Sequence, residues 1–130
     1  MISSTLLRFA AVYFLTGIAL GMYTGITQDV RLVHVHVHIN LLGWVALALV
    51  ALIYRALPSL EQGWVPRAHL WLHNVGLLLF MGGVAYAQLS GHHFVAPIAL
   101  GSTLLSLGVL LWVAHLFKGL RQMNHPEVKA

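Results

Sequence analysis

Four long apolar stretches fix what this chain can become. They run from about 6–26, 32–57, 68–89 and 94–117, with only short connections between them. Each reaches the roughly 20 residues that a helix needs to cross the hydrocarbon core of a bilayer. Strands of an open sheet would leave their backbone groups unsatisfied in lipid, so the spans are expected to be helices. The predicted fold class is all-α, an integral membrane four-helix bundle, with residues 1–130 forming a single domain. The first stretch is too long for the apolar region of a signal peptide and has no small-x-small site near its end, so it is read as a span. Apolar residues make up 59% of the chain and charged ones 8%, a balance foreign to soluble globular domains. Cysteine is absent, which excludes disulfides, thiolate metal sites and thiol catalysis.

The basic charges set direction. Arg8, Arg55, Arg67, Lys118, Arg121 and Lys129 fall on the side shared by both termini and the middle connection, whereas Arg31 alone lies on the other. Lys and Arg concentrate on the cytoplasmic side of membrane proteins, so both termini are expected in the cytoplasm of a multi-pass cell (inner) membrane protein. Charges scattered at span ends are topological signals, and no nucleic-acid partner is implied. Tyr23, Tyr54, Trp64, Trp71, Trp112 and Phe117 lie near span ends, as an interfacial aromatic belt does. Gly17, Gly21 and Gly25 recur every four residues along the first span and offer a smooth face to a neighbouring helix. Ser102 and Ser106 do so more weakly in the fourth. The bilayer is one partner; the same stripes also suit a subunit interface.

Nine histidines in so apolar a chain call for explanation, because ionisable groups inside a membrane are expensive and usually functional. His34, His36 and His38 occupy the outer third of the second span, followed by Asn40, Gly43 and Trp44. At about 100° per residue, His34 and His38 share a face while His36 points roughly 200° from His38. The helix thus offers imidazoles to two different neighbours, and imidazole is both the commonest metal ligand and an axial ligand of haem iron. Gly43, about a turn below His38, would let a flat macrocycle approach the backbone. His69 and His73 share a face of the third span near its start. With a rise of about 1.5 Å per residue, they are expected to differ from His38 in depth by well over 10 Å. His115 lies at a depth similar to theirs, so the three form a separate candidate site. His92 and His93 form a pair in the outer loop, and His125 lies in the polar tail. Asp29, Glu61 and Glu127 fall in loops or the tail, and no acid/base or nucleophile constellation is visible.

The run Val35-His36-Val37-His38-Ile39-Asn40-Leu41-Leu42-Gly43-Trp44, continuing to Ile53-Tyr54-Arg55-Ala56-Leu57-Pro58, resembles the tenth helix of haem–copper oxidase subunit I. It looks closest to the C-type (cbb) oxidases and the related nitric oxide reductases. His69-Leu70-Trp71-Leu72-His73-Asn74-Val75-Gly76 is similar to the start of that family's eleventh helix. The likeness covers about half the chain, from Gln28 to Gly91, and the first and last spans share only hydropathy. It implies that His36 ligates a high-spin haem and His38 a low-spin haem. The chain departs from the family in having four spans where the family has about twelve. It also lacks a counterpart of the sixth-helix copper ligand and its tyrosine, and His34 is extra. No complete haem–copper catalytic site is therefore expected within one chain.

These readings converge on a haem b-binding membrane protein related to haem–copper oxidase subunit I, acting in electron transfer or in redox or gas sensing. The haem would be non-covalent, because no Cys-x-x-Cys-His motif is present. Its expected contacts are His36 and His38 at the iron, with His34, Asn40, Gly43 and Trp44 around them. A second axial histidine at the depth of His38 is missing from the other spans. The chain is therefore expected to share bis-His haem between subunits, as a homo-oligomer (trimer or dimer), and to meet a redox partner. The alternatives are a copper- or zinc-binding protein using His34, His36 and His38, or a non-catalytic assembly subunit.

Overall fold

The computed structural model describes residues 1–92 and 94–124, the last of these by its backbone alone. Among these residues four helices form the fold: α1 (Ile2–Thr27), α2 (Val30–Ala56), α3 (Val65–Ser90) and α4 (Val95–Asn124). All four are long and apolar enough to cross a membrane. Large apolar side chains such as Leu15, Ile26 and Leu110 stay exposed on their outward faces. Exposed apolar surface on this scale suits lipid, because a soluble monomer rarely leaves such contiguous patches open.

The helices begin and end beyond the apolar windows for local reasons. Polar Ser3 and Ser4 join α1 because Glu61, from the middle connection, reaches its first turn. The Glu61 carboxylate accepts hydrogen bonds from the Ser3 backbone N (2.9 Å) and from Ser3 Oγ (3.2 and 3.1 Å). It thereby satisfies a free N–H and places negative charge at the positive end of the helix dipole. Pro66 occupies the first turn of α3, where its missing N–H is no loss. Gly91 ends α3 with φ 71°, a left-handed conformation that glycine adopts freely.

The contact of Ser3 with Glu61, together with one between His115 and Leu60, brings the N-terminus, the middle connection and the end of α4 to one end of the bundle. We call this the terminal end; the other, the loop end, carries Asp29, Arg31 and Ser90–His92.

α2 is the irregular helix. A 3-10 turn (Val30–Leu32) leads into an α-helical segment (Val33–His38), then an eight-residue π-helix (Ile39–Ala46), then α-helix again (Leu47–Ala56). The π register is rare and clusters at functional sites. It changes which neighbour each following residue faces, so the face relations expected from a uniform helix hold only as far as His38.

Two kinds of seam hold the bundle. Between α3 and α4 the backbones themselves meet: a Cβ added to Gly76 would fall on the backbone of Leu105 and Gly101, and one added to Gly101 on that of Phe80. Small residues permit such approach, and dispersion then substitutes for the hydrophobic drive that lipid removes. Between α1 and α2 the glycines make room for side chains instead. Gly17 faces the Asn40 amide and Gly21 the His36 ring, while nothing lies within 4 Å of Gly25. The expected first-span stripe is thus intramolecular at two of its three positions. In α4 the closest approach falls at Gly101, with Ser102 half-buried beside it and Ser106 exposed.

Candidate functional site

The outer histidines do not converge. His34 is exposed on the bundle surface. His36 is half-buried, and its Nδ1 lies 2.7 Å from the Gly17 carbonyl of α1. His38 is half-buried on the other flank, 6.2 Å from the Phe80 ring of α3 in an edge-on arrangement. Its Nδ1 lies 2.8 Å from the carbonyl of His34, one turn back in its own helix. A carbonyl only accepts, so Nδ1 carries the proton in both rings and Nε2 holds the lone pair. The two rings point to different neighbours, α1 and α3, as their spacing along the helix requires.

Asn40 continues the polar run. Its Nδ2 donates to the His36 carbonyl (2.9 Å) and sits 3.3 Å from His36 Nδ1, packed over Gly17. Trp44 stacks on Phe14, with ring centroids 4.8 Å apart and an interplanar angle of 27°. Beside His36 and Asn40, the residues Ile18, Val37, Leu41 and Val45 line a groove of about 410 Å³. Gly43 plays a different part from the one expected. It is buried under the Tyr13 ring, which fills the space a Cβ would take, so the close approach at this glycine belongs to α1 and leaves no face for a macrocycle.

The second histidine group serves the terminal half. His73 is 1% exposed, and its Nε2 donates to the Leu42 carbonyl of the π-helix over 2.9 Å. Irregular backbone at membrane depth needs such a donor from a neighbouring helix. This bond places the His73 ring beside Leu42, about one turn past His38, and narrows the separation that counting residues suggested. His69, also 1% exposed, packs 5.2 Å from His73 and 6.1 Å from Trp112 between ring centroids. His115 turns away from both, its Nε2 donating to the Leu60 carbonyl at 2.8 Å. Among the described residues, no three His, Asp or Glu side chains form a group able to hold a metal ion. Neither His34, His36 and His38 nor His69, His73 and His115 form such a group. At the loop end, His92 Nδ1 lies 3.0 Å from the Ser90 carbonyl; His93 and His125 lie outside the described residues.

Sequence reasoning missed the π-helix and the Tyr13, Glu61 and Leu42 contacts. Only the concentration of Asn40 and Gly43 after the histidines hinted at an irregular backbone. The fold and site together define a four-helix bundle of membrane-span proportions, with imidazoles pinned to backbone carbonyls along two seams. No family model, curated protein or solved structure matches the chain.

Proposed function

We propose that this chain is a haem b-binding membrane protein related to haem–copper oxidase subunit I, with His38 and His36 as axial ligands of bis-His haem shared between subunits. The observation that carries this reading is the tautomer of the two rings. A ligating histidine typically donates its second ring N–H to a carbonyl, which fixes the ring and directs the other nitrogen at the metal. His38 and His36 each do this through Nδ1, leaving Nε2 free. The residues fit the group at these two rings, with Asn40 holding the His36 carbonyl and Trp44 stacked on Phe14 one turn further along α2.

A bound haem would supply reversible one-electron chemistry; the chain's own part is to orient two imidazoles. The rings face opposite flanks of α2, so one chain does not present both to the same iron. Pairing His36 of one copy with His38 of the next closes a ring of copies, a trimer or a dimer. The groove beside His36, lined by Ile18 of α1 and residues of α2, is open outward and suits completion by a second copy. Electron transfer is the role that a six-coordinate haem serves best, and gas sensing is the role of an open-coordinate one. In this reading both termini lie in the cytoplasm and the protein resides in the cell (inner) membrane. The loop end supports this orientation, because its Arg31 is already paired with Asp29 at 2.6 Å.

Absorption spectroscopy and native mass spectrometry of the purified protein test the proposal. The expected result is a low-spin b-type spectrum found with oligomers only. A monomer retaining six-coordinate haem refutes the shared ligands, and protein free of haem when expressed under haem-replete conditions refutes the proposal as a whole. Reporter fusions at either terminus and at Ser90 test the orientation, with the termini expected inside.

A further inference from the structure

Four buried polar atoms in this part of the bundle make no protein hydrogen bond of good geometry: Tyr54 Oη, His69 Nδ1, His73 Nδ1 and Asn74 Oδ1. They are not scattered. His69 and His73 stand one turn apart on α3 with their rings 5.2 Å apart, and Trp112 lies 6.1 Å from His69 with its indole beside the Tyr54 hydroxyl. Tyr54 is fully buried. Side chains tilt toward the start of their helix, so Tyr54, near the terminal-end limit of α2, reaches up toward the middle of the bundle. These groups therefore form a rising series from the terminal end to the level of Leu42, where His73 and its neighbour Asn74 lie.

Their chemistry defines what would satisfy them. His73 donates through Nε2 to Leu42, so its Nδ1 is an acceptor and requires a donor. Tyr54 Oη can accept from the Trp112 indole N–H and still has its own proton to donate, and His69 Nδ1 does one or the other. Carboxylates and ammonium groups are missing from this layer among the described residues: Glu61 is engaged by Ser3, and His115 by Leu60. Leaving such groups bare inside a membrane is costly, and a buried water typically meets about three of them. Past His73 and Asn74 the buried α3 positions turn apolar, at Leu77 and Met81.

We infer that Tyr54, His69, His73 and Asn74 line a small internal water site in the terminal half of the bundle, beside the π-helix that the His73 ring supports. The inference stands on the partnerless atoms and does not require haem.

Solid-state NMR of the histidine-labelled protein in lipid bilayers, with magnetisation transferred from water to the ring nitrogens, tests it. His69 and His73 should receive water magnetisation nearly as fast as the loop residue His92. Transfer as slow as that to the buried methyls of Leu47 and Leu77 would overturn the inference. Tyr54→Phe gives a second readout, since the change is nearly isosteric and keeps the ring packing. A hydroxyl that holds water should be missed, lowering Tm by a few degrees. A hydroxyl buried dry should be better removed, and an unchanged or higher Tm would also overturn the inference.

Discussion

The α1–α2 seam and the α3–α4 seam use the same small and polar residues for opposite purposes. Along α1–α2, glycines open space for an imidazole and an amide, and His36 donates through Nδ1 to the Gly17 carbonyl; His38, on the flank of α2 that faces α3, donates in the same way to His34. Around α3–α4, glycines bring backbone against backbone, and His73 and His115 donate through Nε2 to Leu42 and Leu60. The nitrogen left over decides what each ring can do next. A free Nε2 stands at the tip of the side chain, where a metal can reach it. A free Nδ1 lies against its own backbone, and in His73 it is fully enclosed. The first arrangement leaves Nε2 unengaged, whereas the second uses Nε2 to hold a helix together.

The largest effect that can break this contrast is spectroscopic. His38→Ala should abolish the low-spin haem signal or convert it to high spin. His73→Ala should leave the signal largely in place while destabilising the bundle by about 1–3 kcal/mol, because the Leu42 carbonyl loses its donor in a buried setting. Absorption spectra and thermal denaturation in detergent read both effects. A retained low-spin signal in the His38 variant, or a lost one in a folded His73 variant, reverses the assignment of the two seams.

Next in size are the glycines. Gly101→Val drives a branched side chain into the Phe80 backbone, which has no rotamer with which to yield. Overpacking of that kind costs about 1–3 kcal/mol or more. Gly25→Ala, with nothing within 4 Å, should change stability by less than about 0.5 kcal/mol. Should Gly25→Ala instead dissociate an oligomer, that end of the stripe would be a contact between copies.

The difference between the seams explains what the sequence could and could not reveal. The spans were legible because about 20 apolar residues in a row have few other fates. The divergence of His36 and His38 was legible because both precede the π-helix, where the ordinary helical period still applies. Gly43 was misread because its partner, Tyr13, lies thirty residues away, and nothing local marks which of several glycines an aromatic ring will cover. The role of His73 was hidden for a related reason: its partner is a backbone carbonyl, which leaves no trace in residue identity. Depth counted from the ends of apolar windows also misplaced it, since α3 begins at Val65, before the apolar run.

A smaller effect concerns the cap on α1. Ser3→Ala removes one hydroxyl from Glu61 and leaves the backbone bond, so a loss of about 0.5 kcal/mol is expected. Glu61→Gln removes the charge at the helix N-terminus and should lose about 0.3–1 kcal/mol, less at high salt. Chemical denaturation at low and high ionic strength separates the two. An effect of Glu61→Gln that does not respond to salt would mean that the carboxylate acts through hydrogen bonding alone.

The smallest expected effect lies at the loop end, in the pair that links α1 to α2. Arg31 holds the Asp29 carboxylate through its guanidinium and its backbone N–H, and the Tyr23 hydroxyl also reaches it. These bonds favour the charged form and pull its pKa from 3.8 down to about 2. A depressed carboxylate pKa stabilises the fold at every pH above the unfolded value, and that contribution fades as pH falls from 3.8 toward 2. The group is open to solvent, so screening keeps the effect small. Other carboxylates titrate in the same range, which makes the difference between wild type and Asp29→Asn the quantity to measure. That difference should be constant from neutral pH to about 4.5, then shrink toward zero near pH 2. A difference that instead grew on acidification would show that the folded chain raises the Asp29 pKa, so that Arg31 does not hold its carboxylate.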